Sequence, residues 1–451
     1  MKCESGAIYK EVIFSPTEVL TLSINMSVSL HTGFTALPVL LAFLLATTTT
    51  ATATLNNIAS LHLFNASAYP HAKCLDGSPY GIYLRPAPPT ATAQEKHSFM
   101  VVLNGGGLCT HQEDCTARSN TTLGTSTVWG PTYDVNSVAY LTTDPRNPFR
   151  NWNIVFAPYG SGDMHAGQRT TATNETFGLY FSGYHNVMAT IDYLSAQYQL
   201  NETASTLVWS GGSAGGVGVF STLDAVARQL PLVRVVGAPV GGFPPEIFWS
   251  TEKGANTPGE DVRTPAFAQN NALYDAVLPF TCAKALGAAE AYKCGVPSLA
   301  YPYLQTPTFI LEAITDVVVT CGFEGMPCKP VAKALLNPDN WHRWDQYGHN
   351  ATRMFQSTVG KNVQRDGLFA ASCLLHTHFT LDGPLIDGVN GVQATWDWMY
   401  PNEKKEKKEK KDREGNASTF HMDVCQNGKY YPPCGTSCPS IGDATQEHYH
   451  Y

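Results

Sequence analysis

A short glycine-rich motif contains the residue with the clearest chemical potential, Ser213. Residues 211–215 read Gly-Gly-Ser-Ala-Gly and follow the strand-like run STLVWS at 205–210. This spacing fits the GxSxG turn, in which small residues let a serine hydroxyl stand at the tip of a sharp strand-to-helix bend. The amides that begin the helix predicted over 214–229 favour negative charge beside the serine. The motif predicts a nucleophile, and a Gly-rich turn that binds nothing is the alternative.

A second glycine-rich turn follows the apolar run SFMVVLN at residues 98–104. Its sequence is Gly105-Gly-Gly107, and glycines there free backbone N–H groups to point at a carbonyl oxygen, as in the loop that supplies half of an oxyanion hole. A phosphate-binding loop is the other use of such a turn. The chain has no GxxxxGK[ST] motif, and no GxGxxG follows a strand. The turn therefore supports acyl-transfer chemistry.

A serine nucleophile needs a base, and the base needs an orienting carboxylate. In the chain order serine, acid, histidine, the acid closes a late strand and the histidine lies in a following loop. Asp316 ends the strand candidate TPTFILEAITD and fits the first place. The weaker acid candidates are Glu312, Asp339 and Asp345, and the candidate bases are His376, His378, His342 and His349. The pattern alone does not choose between His376 and His378.

The elements that must position these residues alternate along the chain. Between about residues 97 and 240 the strand-like runs SFMVVLN, WNIVFAP, STLVWS and LVRVVGAP are separated by helical patterns, including one over 183–199. Such alternation is typical of a parallel sheet covered by helices on both faces. The carboxyl ends of SFMVVLN and STLVWS then carry the two glycine-rich turns, and the later strand candidate TPTFILEAI leads to Asp316.

Composition excludes several classes of protein. The 451 residues include 37 acidic and 29 basic ones, and 43% are hydrophobic. An acidic chain of this kind argues against nucleic-acid binding, because phosphates require Lys and Arg. The alternating Lys/Glu run at 403–414 is interpreted as a solvated insertion.

The N-terminal region predicts export. The apolar run at 36–46 has eleven residues, too few for a stable membrane span, and Ala-Thr-Ala at 51–53 resembles a signal-peptidase site. We therefore expect a signal region at 1–53, in which 1–25 is a candidate gene-model extension, and a secreted glycoprotein. The sequons beyond the leader begin at Asn65, Asn120, Asn174, Asn201, Asn350 and Asn416.

Twelve cysteines indicate an oxidising compartment and disulfides. Loss of the leader removes Cys3 and leaves an odd number, so at least one thiol is unpaired within the chain. No CxxC pair occurs, and we expect no metal. The pairs close enough to form short loops are Cys109 with Cys115, Cys282 with Cys294, and Cys321 with Cys328. Cys425, Cys434 and Cys438 suggest a stapled C-terminal segment.

Taken together, these motifs resemble the pectin acetylesterase/Notum family of serine carboxylesterases, more closely its plant pectin acetylesterase branch. The resemblance covers about residues 73–438 and includes KCLDGSPYGIY at 73–83, NGGGLC at 104–109, WNIVFAPY at 152–159 and the serine elbow. It also includes the strand that ends at Asp316, the Cys-x-x-His motif at 373–376, and the late cysteine cluster. The elbow and the Cys-x-x-His motif are its specific parts.

This resemblance implies an α/β-hydrolase-like fold with a mostly parallel central sheet, helices on both faces and disulfide-stapled loops. It implies one esterase domain at 54–400, with an insertion at 401–416 and a Cys-containing C-terminal segment at 417–451 of the same domain. It assigns Ser213 as nucleophile, Asp316 as acid and His376 as base, and it involves no metal or cofactor. The implied oxyanion hole consists of the amides of Gly106, Gly107 and Ala214.

The sequence departs from the family pattern near the site. Leu108 replaces a tryptophan and Asn104 an acidic residue of the plant members, and both flank the oxyanion turn. Gly160 follows Tyr159 where the family usually has cysteine, which predicts an orphaned cysteine elsewhere. His378 is expected at the pocket rim.

The expected protein is a secreted, monomeric esterase that hydrolyses O-acetyl esters on pectin or another extracellular polysaccharide. One alternative is a Notum-like deacylase of a lipidated protein, and another is an inactive glycan-binding relative. Substrate-binding residues are not identifiable from the sequence.

Overall fold

A computed structural model describes residues 56–201, 206–244, 263–320, 338–401, 419–425, 428–430 and 433–439. The predicted signal region and all but the first residue of the Lys/Glu-rich insertion lie outside these ranges, so the predicted domain boundaries stay predictions. Within the described residues, no helix is both long and apolar enough to cross a bilayer.

The core of the fold is a ten-stranded sheet. Its strands are β1 (Ile58–Leu63), β2 (Gly81–Arg85), β3 (Ser98–Leu103), β4 (Thr132–Asp134), β5 (Asn153–Ala157), β6 (Thr206–Gly212), β7 (Arg234–Val240), β8 (Phe309–Ala313), β9 (Gly367–Ala371) and β12 (Phe420–Met422). The strands β10 (Leu385–Ile386) and β11 (Val389–Asn390) form a separate hairpin.

Strand order in the sheet is β12-β9-β8-β7-β6-β3-β5-β2-β1-β4. Neighbours from β12 to β5 are parallel, whereas β2, β1 and β4 extend the sheet in antiparallel fashion. The parallel strands therefore place their carboxyl ends at one edge, which is where open α/β sheets bind ligands.

Helices cover both faces of the sheet. They are α1 (Ala93–Lys96), α2 (Gln112–Arg118), α3 (Gly183–Tyr198), α4 (Ala214–Gln229), α5 (Arg263–Tyr274), α6 (Phe280–Leu286), α7 (Pro297–Ala300), α8 (Pro338–Ser357) and α9 (Gly391–Met399). Alternate β3 side chains show the two layers: Phe99 and Val101 pack in a cluster with α3 and α4, and Met100 and Val102 pack in one with α9. The predicted α/β-hydrolase-like architecture is confirmed.

Four disulfides join described residues. Cys109–Cys115 and Cys282–Cys294 close the short loops that their spacing predicts. Cys373–Cys438 attaches the C-terminal segment to the chain just after β9, and Cys425–Cys434 closes a short loop within that segment. The predicted pair Cys321 and Cys328 lies outside the described residues.

Among the described cysteines, Cys74 is free and buried. It lies against Gly160: a Cβ atom placed on that glycine would be 2.6 Å from Cys74 Sγ. The expected unpaired cysteine is present, and it lies beside Gly160. Burial raises the pKa of the Cys74 thiol to about 12, so the thiol stays protonated at neutral pH.

Candidate active site

Ser213 stands at a strained turn between β6 and α4. Its backbone has φ 55° and ψ −121°, a conformation that non-glycine residues rarely adopt. The strained peptide is held because Ser213 N–H donates to the Val240 carbonyl at 2.9 Å and the Ser213 carbonyl accepts from Val217 N–H at 3.0 Å. A strained backbone persists only where the surrounding structure imposes it, and residues of this kind are concentrated at functional sites.

The elbow requires glycine because the first turn of α4 touches the end of β3. A Cβ atom on Gly215 would lie 2.1 Å from the Leu103 carbonyl oxygen, closer than any side chain permits. The small residues after Ser213 therefore let the helix begin directly against the strand, with its N-terminal amides beside the hydroxyl.

The second glycine-rich turn faces the elbow across the strand ends. Gly106 has φ 140° and Gly107 has φ 68°, values that favour glycine. Arg118 Nη2 donates to the Gly106 carbonyl at 2.8 Å. Because the peptide is trans, the next N–H, that of Gly107, points away from this carbonyl. The Arg118 bond thus fixes the direction of an amide predicted for the oxyanion hole.

Two further side chains bind carbonyls of the same turn. His165 Nε2 lies 2.9 Å from the Asn104 carbonyl oxygen, and Tyr274 Oη donates to the Cys109 carbonyl at 2.5 Å. Burial lowers the pKa of His165 to about 4, so its imidazole is neutral at pH 7 and Nε2 carries the proton. Sequence reasoning missed Arg118 and His165, since neither belongs to a motif that signals this role.

The acid and the base meet at the ends of β8 and β9. Asp316 is fully buried, and its Oδ2 lies 2.6 Å from His376 Nδ1. Asp316 Oδ1 accepts from the N–H groups of Val318 and Val319 at 2.8 and 2.9 Å. Donation from Nδ1 in a neutral imidazole leaves Nε2 as the basic nitrogen. The structure thus brings Asp316 to His376, a choice that the sequence pattern alone did not make.

Backbone contacts bring the two halves of the site together. A Cβ atom on Gly212, next to Ser213, would lie 3.4 Å from Thr377 Cγ2, next to His376. Gly241, in the loop after β7, packs directly against His376, since its Cβ position is 3.2 Å from His376 Nδ1. The serine elbow and the histidine loop therefore pack against each other.

A cavity of about 960 Å³ opens at this junction. Gly105, Gly106, Gly107, Ser213 and His378 line it. About half of its other lining residues are apolar, namely Val102, Leu103, Leu123, Tyr133, Val138, Ala139, Tyr140, Phe156, Val240, Leu311, Phe379, Leu381 and Val392, and polar side chains such as Asn136, Ser137, Thr142, Thr377 and Thr380 line the rest. Several of these side chains belong to the buried cluster beside α9, so the apolar part of the cavity wall is continuous with the hydrophobic core.

One part of the cavity wall is charged. Arg146 Nη2 is 2.8 Å from Asp144 Oδ2, and its Nη1 is 2.5 Å from Asp382 Oδ1. Arg146 and Asp382 are largely exposed, so this ion-paired group forms part of the rim. Salt bridging to Arg146 lowers the pKa of Asp144 to about 2.

The remaining candidates occupy other places. His378 lines the cavity, in keeping with its expected rim position, and Asn104 lines it too, whereas Leu108 packs with the cluster around Cys109 and Tyr159. Asp345 and His349 form a pair on α8, 3.7 Å apart. His342 is also on α8 and is exposed, and the side chain of Asp339 is outside the described set.

Within the described residues, no group of three or more His, Cys, Asp or Glu side chains is placed to hold a metal ion.

Comparisons with known proteins agree on the family. The Pectinacetylesterase family profile matches residues 52–427. Palmitoleoyl-protein carboxylesterase notum1' of Xenopus laevis is 27% identical over 390 residues, which cover 82% of this chain and 72% of that protein. Palmitoleoyl-protein carboxylesterase NOTUM of Homo sapiens is 26% identical over 413 residues, covering 86% and 75%.

A solved structure shares the fold. The structure of the Wnt deacylase Notum from Drosophila aligns with a TM-score of 0.67 at 23% identity, over 85% of this chain and 100% of that chain. This likeness supports the fold, and the family profile extends over most of the sequence. The chain belongs to the pectinacetylesterase/Notum family and is a carboxylic ester hydrolase.

Proposed function

We propose that the protein is a secreted serine esterase with Ser213 as nucleophile, His376 as base and Asp316 as acid. The observation that carries the proposal is the 2.6 Å bond between Asp316 and His376 beside the strained Ser213 turn. A nucleophile, a base and a group that orients the base are the minimum that acyl transfer through a serine requires.

In the first step His376 Nε2 takes the Ser213 hydroxyl proton while Oγ attacks the ester carbonyl. The imidazolium that forms is stabilised by the Asp316 carboxylate, which also fixes the tautomer. The tetrahedral intermediate collapses to an acyl-enzyme when His376 returns the proton to the leaving alcohol. Water activated by the same histidine then hydrolyses the acyl-enzyme and releases the acid.

The amides of Gly106, Gly107 and Ala214 are the proposed donors to the oxyanion. These donors stabilise the oxyanion effectively because they are oriented before the reaction and need no reorganisation as charge develops. The Arg118 and His165 bonds to the carbonyls of the turn supply that fixation.

The acyl group that the site favours is longer than acetyl. The cavity of about 960 Å³ is near the upper end of the range of about 300–1,000 Å³ for small-molecule sites, and apolar side chains form about half of its wall. A two-carbon acyl group would leave that apolar surface uncovered. Relatives named as palmitoleoyl-protein carboxylesterases support the same choice.

Hydrolysis of O-acetyl esters on pectin or a related polysaccharide is the second candidate. The family profile carries the pectinacetylesterase description, and the Asp144–Arg146–Asp382 rim offers polar groups for hydroxyl-rich substrates. The polysaccharide substrate and the monomeric state stay predictions.

Secretion is proposed on three observations. These are the predicted leader, the disulfides, and sequon asparagines that are exposed at Asn65, Asn120, Asn174 and Asn201. Disulfides persist in oxidising compartments.

The test compares 4-nitrophenyl acetate and octanoate as substrates of the wild type and Ala139→Phe. We expect the wild type to prefer octanoate by about tenfold or more in kcat/KM, since each buried methylene contributes about 0.8 kcal/mol. Ala139 is part of the partly exposed cavity wall, and a phenyl ring there should lower octanoate hydrolysis at least about tenfold while acetate hydrolysis changes little.

Ser213→Ala and acetylated pectin complete the experiment. Equal hydrolysis by Ser213→Ala and the wild type would exclude the proposed nucleophile. Preference for acetate, together with acetate release from pectin, would favour the second candidate.

A further inference from the structure

A second carboxyl group lies beside the proposed triad acid. Glu312 is in β8, four residues before Asp316, and its side chain is fully buried. Ile310 and Ile314 share its side of the strand and belong to a hydrophobic cluster that includes Ala370, the β9 residue paired with Glu312. The carboxyl group therefore faces an apolar layer rather than solvent.

Glu312 is hydrogen-bonded on several sides. Its Oε2 accepts from the Phe243 N–H at 2.7 Å and its Oε1 from the Ala313 N–H at 3.2 Å. Its carboxyl group also lies close enough to that of Asp316 for a shared proton to link the two. Phe243 follows the β7 loop in which Gly241 packs against His376. Glu312 thus connects the acid to the loop that supports the base.

Two adjacent buried carboxyl groups cannot both carry a charge without a large electrostatic cost. Among the described residues, Asp316 is the titratable group whose charge acts on Glu312, and Asp316 in turn contacts His376. Strand β9 presents Ala370, the β7 loop presents the backbone of Phe243, and the cluster on this side of β8 also contains the phenols Tyr301 and Tyr347. Asp316 takes part in three hydrogen bonds besides any to Glu312, with two backbone amides and with His376. Burial and the neighbouring Asp316 charge raise the pKa of Glu312 well above its ordinary value.

We propose that Glu312 is a positioning residue of this esterase, a neutral carboxylic acid whose O–H donates to the Asp316 carboxylate and fixes it against His376. The inference rests on the proposed function of Asp316 and His376. The added donor spreads the negative charge of Asp316, so it holds the geometry of the acid and moderates the basicity of His376.

The variants Glu312→Gln and Glu312→Leu distinguish whether Glu312 acts as a neutral hydrogen-bond donor or as a charged group. Gln keeps an N–H donor and no charge, so kcat/KM should fall about two- to fivefold and the acid limb of its pH profile should stay in place. Leu removes the donor and concentrates charge on Asp316. Its kcat should fall about 50-fold or more, and the acid limb should move to higher pH by about half a unit to one unit, because His376 becomes more basic.

Ile310→Val is the matched control, since it alters packing on the same side of β8 and leaves both carboxyl groups in place. It should leave the acid limb unmoved. A shift of the limb to lower pH in Glu312→Gln would mean that Glu312 is charged, and unmoved limbs in both Glu312 variants would mean that it does not act through Asp316. Either result overturns the proposal.

Infrared difference spectra give a readout that needs no activity. At pH 7 the wild type should show the C=O stretch of a protonated carboxyl group that Glu312→Gln lacks, and the absence of this band overturns the proposal even if Glu312→Leu fails to fold. A wild type that shows the band but hydrolyses no ester would contradict the proposed function and leave the neutral Glu312 intact.

Discussion

The two halves of the site are stabilised by different means. The nucleophile half, made of the 104–109 turn and the Ser213 elbow, depends on backbone conformation: Gly106, Gly107 and Ser213 all have positive φ, and neighbouring carbonyls are bound by side chains from outside. The acid–base half, made of Asp316, His376 and Glu312, depends on hydrogen bonds between buried ionisable side chains.

This difference determines how each half can fail. Backbone conformations in the nucleophile half leave little room for added atoms, so substitutions there act through displaced amides. The acid–base half is sensitive to charge, because adding or removing one proton on Glu312 or Asp316 changes the hydrogen bonding between these two carboxyl groups. Single substitutions can therefore test the halves separately, and double substitutions can test whether they act as one unit.

The largest effect is expected from removing one group of each half. Ser213→Ala and His376→Ala should each lower kcat by about 10⁴- to 10⁶-fold, and the double variant should lose no more than the worse single variant. The physical reason is that each group works only with the other in place. Steady-state hydrolysis of 4-nitrophenyl octanoate measures the losses, with thermal unfolding as the control for folding. A double variant whose loss equals the product of the single losses would show that the halves act independently.

A smaller effect is expected from the support beneath the oxyanion turn. Arg118→Met removes the bond to the Gly106 carbonyl, which frees the Gly107 amide to rotate, so kcat should fall about 100-fold with little change in KM. Arg118→Lys should recover part of the loss because it retains one donor.

Arg234→Met is the matched control for Arg118. Arg234 Nη2 also donates to a backbone carbonyl at 2.8 Å, that of Met399, and its guanidinium lies 5.1 Å from the Tyr400 ring, as that of Arg118 lies 5.9 Å from Tyr159. A similar loss of kcat in both variants would mean that Arg118 acts only through general stability.

The nucleophile half is the more predictable one from sequence. Strained turns require glycine at fixed spacings, so Gly105–Gly107 and the elbow are visible as motifs, and the strands before them are apolar runs that match β3 and β6. The acid–base half is less visible because burial and pairing depend on tertiary contacts. Glu312 and Asp316 are both acidic residues at one strand end, and only the fold shows that Asp316 contacts His376 while Glu312 lies beside Asp316.

Arg118 and Tyr274 illustrate a second limit. Each side chain donates to a backbone carbonyl of a turn that belongs to another part of the fold. Every residue has a backbone carbonyl, so the sequence does not indicate which carbonyl accepts the bond. The absence of a cysteine at position 160 is more informative than such a contact. Together with the odd cysteine count it predicts a free thiol, and the fold places that thiol at Cys74.

The smallest effect on catalysis and a gain in stability are expected from Gly160→Cys. A Cβ atom at position 160 would lie 3.4 Å from Cys74 Cβ, close to the separation of about 3.5–4.5 Å found in disulfides. The new bond should raise the free energy of unfolding by about 2–4 kcal/mol, while kcat changes less than about twofold because the site lies on other loops. Thiol titration and unfolding with and without reductant measure the bond.

Gly160→Ser adds similar atoms without a bond and should destabilise the protein by crowding Trp129 and Cys74, so equal unfolding curves for the two variants would contradict the predicted disulfide.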